Sequence, residues 1–248
     1  MLIEAVTVCV NFADVLAHSL PLNKHHFDRL IVVTDHSDTA TRRLCDHHYV
    51  ERVATDDFYR GDQAFNKGRG INVGLAKLAK TGFVVHLDAD IVLPSRTRRL
   101  LDGPVMLDPG SIYGIDRVMC PDFDAWTRYI ADPVIQHARE IFVIPDAFPL
   151  GTRVAKLDGE GYIPIGFFQL WHPGASGVST YPDEHGTAGR ADMLHALKWM
   201  RKRRALIPEI FAVHLGSPIP PGQNNWRGRL MAPFGPGAGR GEKTAAYE

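Results

Sequence analysis

Apolar and polar positions along residues 1–95 fall into blocks that read in turn as strands and helices. Ile3 to Val10 is a β-branched run and Leu30 to Thr34 a second, with Ala13 to Leu20 between them as a short helix. Ser37 or Asp38 is placed to cap a helix running to about Asp46. Lys67 to Lys80 carries Ile71, Leu75, Leu78 and Ala79 at helical spacing, Gly82 stops it, and Phe83 to Leu87 follows as a buried strand. Strands and helices alternating at this spacing predict an α/β fold whose mostly parallel sheet is covered on both faces. Ligands of such sheets bind beyond the carboxyl ends of the strands, so the residues just after each strand are the candidates for chemistry.

Beyond Pro94 the pattern loosens. Ser111 to Ile115 predicts a strand, and Asp124 to Ile144 one or two helices interrupted at Pro133. Tyr162 to Trp171 (YIPIGFFQLW) reads as an antiparallel strand pair or one bent strand. Met193, Leu194, Leu197 and Met200 predict a helix from Asp192 to Arg204, and Ile210 to Leu215 is a last strand. After Pro218 the composition shifts to Pro, Gly, Asn and Arg, and residues 233–248 are expected to form a loose tail.

The 248 residues carry 28 Lys+Arg against 28 Asp+Glu, with 45% hydrophobic and 23% charged positions. That is ordinary soluble composition at a length able to bury a proper core. A formal net charge of +0 argues against a general nucleic-acid or anionic-membrane binder. Cys9, Cys45 and Cys120 are odd in number and far apart, which suits neither a disulfide framework nor a zinc site and predicts reduced thiols in the cytoplasm. No apolar run approaches the roughly 18 residues of a membrane span, and MLIEAVTVCV lacks the basic start of a secretory signal, so neither is expected.

The sharpest chemical feature is His86-Leu-Asp88-Ala-Asp90 at the end of the strand FVVHL. Carboxylates two apart on an extended chain face the same way, roughly 6.5–7 Å apart. One divalent ion can take one directly and the other through water; otherwise the two acids cap a turn before Pro94. FNKGRGINVG (65–74) opens the preceding helix, where free N–H groups together with Lys67 and Arg69 suit a phosphate. It is not a Walker loop, and its plainer reading is a solvated basic helix start. His214, ending the last strand, is either a packed histidine or an imidazole ligand completing a mixed O/N set for Mn²⁺. Asn224-Asn-Trp226-Arg227-Gly-Arg229 is a basic surface loop or a mobile flap over a diphosphate. Asp192 is either the N-cap of the helix it begins or a general base in the cleft, with Asp183 and Glu184 as competing acids. The run Arg201 to Arg204 reads as a solvated helix end.

These segments together resemble the GT-A glycosyltransferases, the nucleotide-diphospho-sugar transferases, and in particular their inverting family 2-like group, over roughly residues 1–230. FNKGRGINVGLAKLAKTGFVVHLDADIVLP is similar to the segment joining that family's Arg/Asn-containing helix to its Asp-X-Asp strand. YPDEHGTAGRADMLHALKW resembles the acceptor-side segment that ends in a catalytic acid before a helix. VHLGS and NNWRGR resemble its His-Leu-Gly and Asn-Trp-X-Gly-Arg tail. One departure is Ala191-Asp192, which supplies a single acid where members often carry Glu-Asp.

The resemblance implies a GT-A (Rossmann-like) domain over 1–232. Residues 1–95 form its nucleotide-sugar half, 96–217 an α+β acceptor-side half and 218–232 a flexible phosphate-closing loop. It implies that Asp90 binds Mn²⁺ (or Mg²⁺) directly, that Asp88 meets ribose or the metal shell, and that His214 is the third protein ligand. Val10, Asn11 and Asp35 would line the nucleoside pocket, while Lys67, Arg69 and Asn72 hold base, ribose or diphosphate. Trp226, Arg227 and Arg229 would close over the phosphates, and Phe167, Phe168, Gln169 and Trp171 form a sugar or acceptor wall. The implied reaction moves a sugar from a nucleotide-diphosphate donor, UDP being the commonest, to an acceptor hydroxyl, with Asp192 as base and inversion as the outcome. A cation and basic side chains suit the departing diphosphate of such an oxocarbenium-like transfer. The acceptor class stays open among a glycan, a lipid-linked sugar, a protein and a modified DNA base. Two alternatives stand beside it. One is a haloacid-dehalogenase-like phosphatase using Asp88, although residues 1–82 precede a motif that normally opens its domain. The other is a non-catalytic nucleotide-sugar-binding protein.

Overall fold

The structure, a computed structural model, describes residues 1–133, 148–152 and 161–236. Three apolar runs form its centre as β1 (Ile3–Val8), β2 (Arg29–Thr34) and β4 (Phe83–Leu87), and all but Arg29 in them are buried. Strands buried on both faces read as continuous apolar runs because neither side alternates toward water. With β3 (Glu51–Ala54) they pair in parallel in the order β3-β2-β1-β4, with Val6 opposite both Ile31 and His86.

The sheet continues through β7 (Phe168–Trp171), β6 (Ile112–Cys120), β8 (Arg204–Leu215) and β5 (Ile91–Val92) to eight strands. Here β7 runs antiparallel to β4 and β6, β6 and β8 run parallel, and β5 is antiparallel to β8. This is the α/β architecture expected, a parallel half joined to a mixed one. Side chains alternate faces along each strand. Ile3 and Ala5 of β1, with Phe83, Val85 and Leu87 of β4, join Leu16, Leu20 and Cys45 of α1 (Ala13–Asn23) and α2 (Thr39–His47). Val6, Val8 and Val84 point the other way, onto Ile71 and Leu75 of α3 (Lys67–Leu75) and Ala191 and Ala196 of a short helix from Ala191 to Ala196. All three cysteines are buried free thiols. Among the described residues no helix is long and apolar enough to cross a membrane.

Several elements depart from the periodicity. The helix expected over 67–80 stops at Leu75 because Glu4, buried on β1, takes the Ala79 and Lys80 N–H groups at 3.1 and 2.7 Å, and Lys80 turns left-handed at φ 58°. The helix expected over 192–204 spans only Ala191–Ala196. The inward side chains are His195, Ala196 and Trp199, Met200 is 65% exposed, and Arg204 already belongs to β8. That last strand starts before Ile210 and passes through Pro208, with a register shift against β6 between Gly114 and Asp116. A bulge is one of the few places where a sheet accepts proline. In the 162–171 run only Phe168–Trp171 is strand. Neither β3, β5 nor α4 (Thr97–Asp102) was legible from periodicity. Helix α5 (Phe123–Ala131) ends before Pro133, and the rest of the expected 124–144 helix, like 237–248 of the expected tail, lies outside the described residues. A four-residue helix, α6 (Pro173–Ser176), precedes the Ala191–Ala196 helix, hereafter α7.

Two carboxylates tie the loops at the carboxyl edge. Asp38 caps α2 by accepting the Thr41 N–H at 3.0 Å and also takes the Asn11 N–H at 2.6 Å, where Asn11 is left-handed at φ 62°. Asp14 at the start of α1 accepts both guanidinium NH₂ groups of Arg229 and the Phe234 N–H. Burial alone pushes the Asp14 carboxyl up, but Arg229 and Phe234 hold it below its usual 3.8. Because the folded value is the lower one, its stabilisation is complete above about pH 4 and drains as pH falls through the folded value. We expect Arg229→Met to lower stability at pH 7 by about 1–3 kcal/mol, the range of partly buried charge-assisted bonds. Urea unfolding at pH 7 and pH 3 checks this, with the difference between wild type and variant shrinking at the lower pH.

Candidate functional site

The segment that carries the paired aspartates is held by α1. Asn23 donates to the Ile91 carbonyl at 2.6 Å and accepts the Leu93 N–H at 2.9 Å, and the Ser19 hydroxyl donates to the Ala89 carbonyl. Buried polar side chains on an otherwise apolar helix face persist only where they satisfy such groups. On the other side the Asp88 N–H donates to the Phe167 carbonyl at 3.0 Å. Strand β5 then pairs with β8, Ile91 opposite His214, and the Leu215 N–H reaches the Asp90 carbonyl at 2.8 Å. The side chains follow the backbone, with Asp90 Oδ2 lying 2.9 Å from His214 Nε2.

A cavity of about 430 Å³ opens there, at the carboxyl edge of the parallel strands. Its lining brings together Lys67, Asp88, Asp90, Arg117, His214 and Asp192 with Gly166 and Phe167, and it includes Trp226, which is 55% exposed. Lys67, on the first turn of α3, is ion-paired with Asp88 Oδ1. Burial pulls the Lys67 ammonium down, but the Asp88 carboxylate outweighs it and the net shift is upward. Burial pushes Asp88 up against the pull of Lys67, while Asp90 is held down by His214 and Lys67 despite its burial.

Asp192 is not the N-cap of α7. Arg190, left-handed at φ 71°, occupies that position, and Asp192 sits in the first turn, its Oδ2 accepting the Gly166 N–H at 2.8 Å. Gly166 is required there, since a Cβ would stand 2.7 Å from Asp192 Cβ.

Three cavity groups carried no assigned role in the sequence. Arg117 of β6 lays its guanidinium over the Phe167 ring at 4.1 Å, its Nε buried without a partner among the described residues, and burial lowers its pKa against the opposing charges of Asp90, Asp88 and Asp192. Tyr181 donates from its hydroxyl to Gln169 at 2.6 Å, and burial beside Asp192 and Asp88 raises its pKa well above 10. His86 is 1% exposed and kept well below 6.5 by burial and by the Lys67 charge. His86 and Tyr181 were visible inside quoted motifs. Arg117 had no local signal, because only the β6–β8 register aims it at the cavity.

The remaining predicted residues do not line the cavity. Asn72 spends its amide on the Tyr181 backbone, donating to the carbonyl at 3.0 Å and accepting the N–H at 2.7 Å. Arg69 reaches the Arg60 carbonyl at 2.6 Å. Val10 is buried, Asn11 is engaged with Asp38 and Arg229, and Asp35 accepts from the Ser37 backbone and hydroxyl. Arg229 serves Asp14 and the Asn11 and Ala232 carbonyls, while Arg227 is exposed on the loop. The expected wall is corrected at three positions. Phe168, Gln169 and Trp171 are fully buried in the core, and only Phe167 reaches the cavity. Among the described residues no three His, Cys, Asp or Glu side chains gather as a metal-binding group, and Asp88, Asp90 and His214 contribute a pair with a neighbour. That pair nevertheless suits a hard cation. Asp90 Oδ1 is buried with no hydrogen-bond partner, and an imidazole nitrogen lies beside the other oxygen.

No family model matches the chain, and no curated protein matches it in sequence. Solved structures do. TarS of S. aureus (residues 1–349) aligns over 86% of this chain and 60% of its own, at 15% identity and a TM-score of 0.51. Glucosyl-3-phosphoglycerate synthase from Mycobacterium tuberculosis, in complex with Mn²⁺, UDP and phosphoglyceric acid, aligns over 88% and 72% at 16% identity and 0.50. GalNAc-T7 with UDP, GalNAc and Mn²⁺ aligns over 87% and 44% at 14% identity and 0.54. The chain thus has the GT-A fold, and it spans less than two thirds of TarS and of GalNAc-T7.

The cavity depends on segment 181–186 lying against the start of α3. Asn66 donates to the Asp183 carbonyl at 2.6 Å, and a Cβ on Gly68 would stand 2.0 Å from the Pro182 carbonyl oxygen. We expect Gly68→Ala to cost about 1–3 kcal/mol, as overpacking against a rigid neighbour does. The measurements are a melting temperature lowered by several degrees and faster hydrogen exchange at the Tyr181 amide.

Proposed function

We propose that this chain is a glycosyltransferase that moves a sugar from a UDP-sugar to an acceptor hydroxyl, with Asp192 as general base and inversion at the anomeric carbon. The observation that carries the reading is the cavity itself, which the Asp90–His214 pair, Lys67 and Asp192 line together. The fold supports it, as do the UDP and Mn²⁺ bound to two of the structural neighbours.

Asp90 and His214 would hold the divalent ion, Mn²⁺ or Mg²⁺, which when bound supplies Lewis-acid stabilisation of the leaving diphosphate. Lys67 and Arg117 add cationic groups to the lining of the same cavity, where negative charge would grow as the glycosidic bond breaks. Asp192 receives the acceptor hydroxyl proton. Its Oδ2 is fixed by the Gly166 N–H, so Oδ1 is the oxygen free to turn to the acceptor. A single base opposite the leaving group gives inversion, whereas retention by a nucleophile needs the two carboxyl groups arranged about one carbon. Trp226, packed over Gly189 with its carbonyl accepting the Ala188 N–H at 2.8 Å, closes the mouth.

Two outcomes test the assignment. In a thermal-shift screen of UDP-sugars, a donor should raise the melting temperature of wild type with Mn²⁺ and much less without it, and Asp90→Asn with His214→Ala should abolish that difference. Asp192→Asn should keep donor binding while transfer falls about 10²–10⁴-fold, the usual contribution of a positioned base. Unchanged transfer would move the base to Asp183 or Glu184. Phosphate release from sugar phosphates without an acceptor would favour the phosphatase instead.

A further inference from the structure

His86 lines the cavity without a part in the proposed mechanism, and among the described lining residues it is the one whose side-chain polar atoms are both buried and unpartnered. Its side chain is 1% exposed, yet neither Nδ1 nor Nε2 has a hydrogen-bond partner among the described residues. The nearest carboxylate oxygen, Asp88 Oδ1, is 3.5 Å from Nε2 and already bound by Lys67. A buried polar group left in that state is costly, and in native proteins it points to water or to a ligand. His195 makes a useful contrast. Its nitrogens are equally unpartnered, but it is enclosed by the Tyr181, Trp171 and Trp199 rings and does not reach the cavity.

Strand geometry accounts for the aim. His86 stands opposite Val6 on β1 and, two residues before Asp88, points to the α3 and α7 face of the sheet as Asp88 does. Its ring meets Tyr181 at 5.4 Å, and Tyr181 lies within electrostatic reach of both Asp192 and Asp88. The imidazole thus lines the same cavity as Asp88, Tyr181 and Asp192, beside the Tyr181 ring and 3.5 Å from Asp88.

In a transfer from a nucleotide sugar, the reacting ring must sit in this cavity between the diphosphate and the acceptor. We infer that the His86 imidazole is the floor of the donor-sugar subsite and reads one hydroxyl of the transferred sugar, which makes it a specificity-determining residue. The inference rests on the glycosyltransferase reading. A hydroxyl both gives and takes a hydrogen bond, so it satisfies a ring nitrogen in either tautomer. Charged groups have better partners close by, an anion at Lys67 or Arg117 and a cation at Asp90, which leaves a neutral hydroxyl as the match for a buried ring.

The experiment is calorimetric binding, with Mn²⁺ present, of UDP, of UDP-glucose, UDP-galactose and UDP-N-acetylglucosamine, and of the monodeoxy analogues of whichever sugar binds tightest. Wild type is compared with His86→Leu and His86→Asn. Wild type should lose about tenfold in affinity for one deoxy analogue. His86→Leu should bind that analogue and its parent equally while binding UDP as before, and His86→Asn, which keeps a donor and an acceptor, should restore part of the discrimination. Without donor, His86→Leu should melt no lower than wild type, since an unsatisfied buried group has been removed. Identical deoxy penalties in wild type and both variants would overturn the inference and assign the ring to a buried water. If wild type binds UDP but gains nothing from any attached sugar, the sugar subsite is refuted while nucleotide binding stands. If it binds neither, the glycosyltransferase reading falls and the inference with it.

Discussion

A two-residue pairing carries the site. When β5 joins β8 with Ile91 opposite His214, a turn after the central strand is brought beside a strand from the far end of the chain, and Asp90 and His214 meet at 2.9 Å. Without that pairing the two aspartates would be a polar turn in front of Pro94. Two residue pairs are a weak guarantee of register for so short a strand, and the structure reinforces it with polar groups drawn from elsewhere. Asn23 satisfies backbone on both sides of β5, Ser19 takes the Ala89 carbonyl, and Phe167 takes the Asp88 N–H. Each would be an expense in an ordinary core. Here they over-determine a turn whose side chains must project into a cavity.

The same need for support explains where the sequence was readable. β1, β2 and β4 were legible because they are buried on both faces and owe their apolar runs to that alone. Asp38 as a cap was legible because its side chain accepts the Thr41 N–H within the same turn. What failed was long-range. The 192–204 helix followed Met193, Leu197 and Met200, of which the first two are half-buried against the core and the third is exposed. The fully buried side is instead His195, Ala196 and Trp199, where His195 packs on Trp171 and Tyr181. Pro208 hid the first half of β8 because its tolerance depends on a register shift against β6, which local sequence does not display.

The chemistry divides along the same line. Lys67, Asp88, Asp90, Asp192 and His214 were identified from short motifs at element ends, and all five reach one cavity. Asn72 and Arg229 sit in the same motifs but brace the walls, one holding Tyr181 and the other tying the C-terminal loop to α1. Motif membership does not separate a group that faces the ligand from one that holds its neighbour in place. Only the hydrogen-bond partners do. Arg117 is the reverse case, a cavity residue with no motif, aimed by strand register and held over Phe167.

The pairing of Lys67 with Asp88 bears on how ligands would enter. On the proposed reading, the ammonium that should meet a diphosphate is already engaged by the carboxylate beside the cation pair. A diphosphate drawing Lys67 away leaves Asp88 with uncompensated charge in a buried wall, and a divalent ion at Asp90 and His214 is what best relieves it. Conversely, a cation that drew Asp88 to itself before a diphosphate arrived would leave the Lys67 ammonium without its partner in the same buried wall. Each ligand therefore removes a penalty that the other would face, and such coupling is reciprocal by thermodynamic necessity. On that reading the site would bind nucleotide and metal together better than either alone, through a lysine and an aspartate that neutralise each other until both ligands are present.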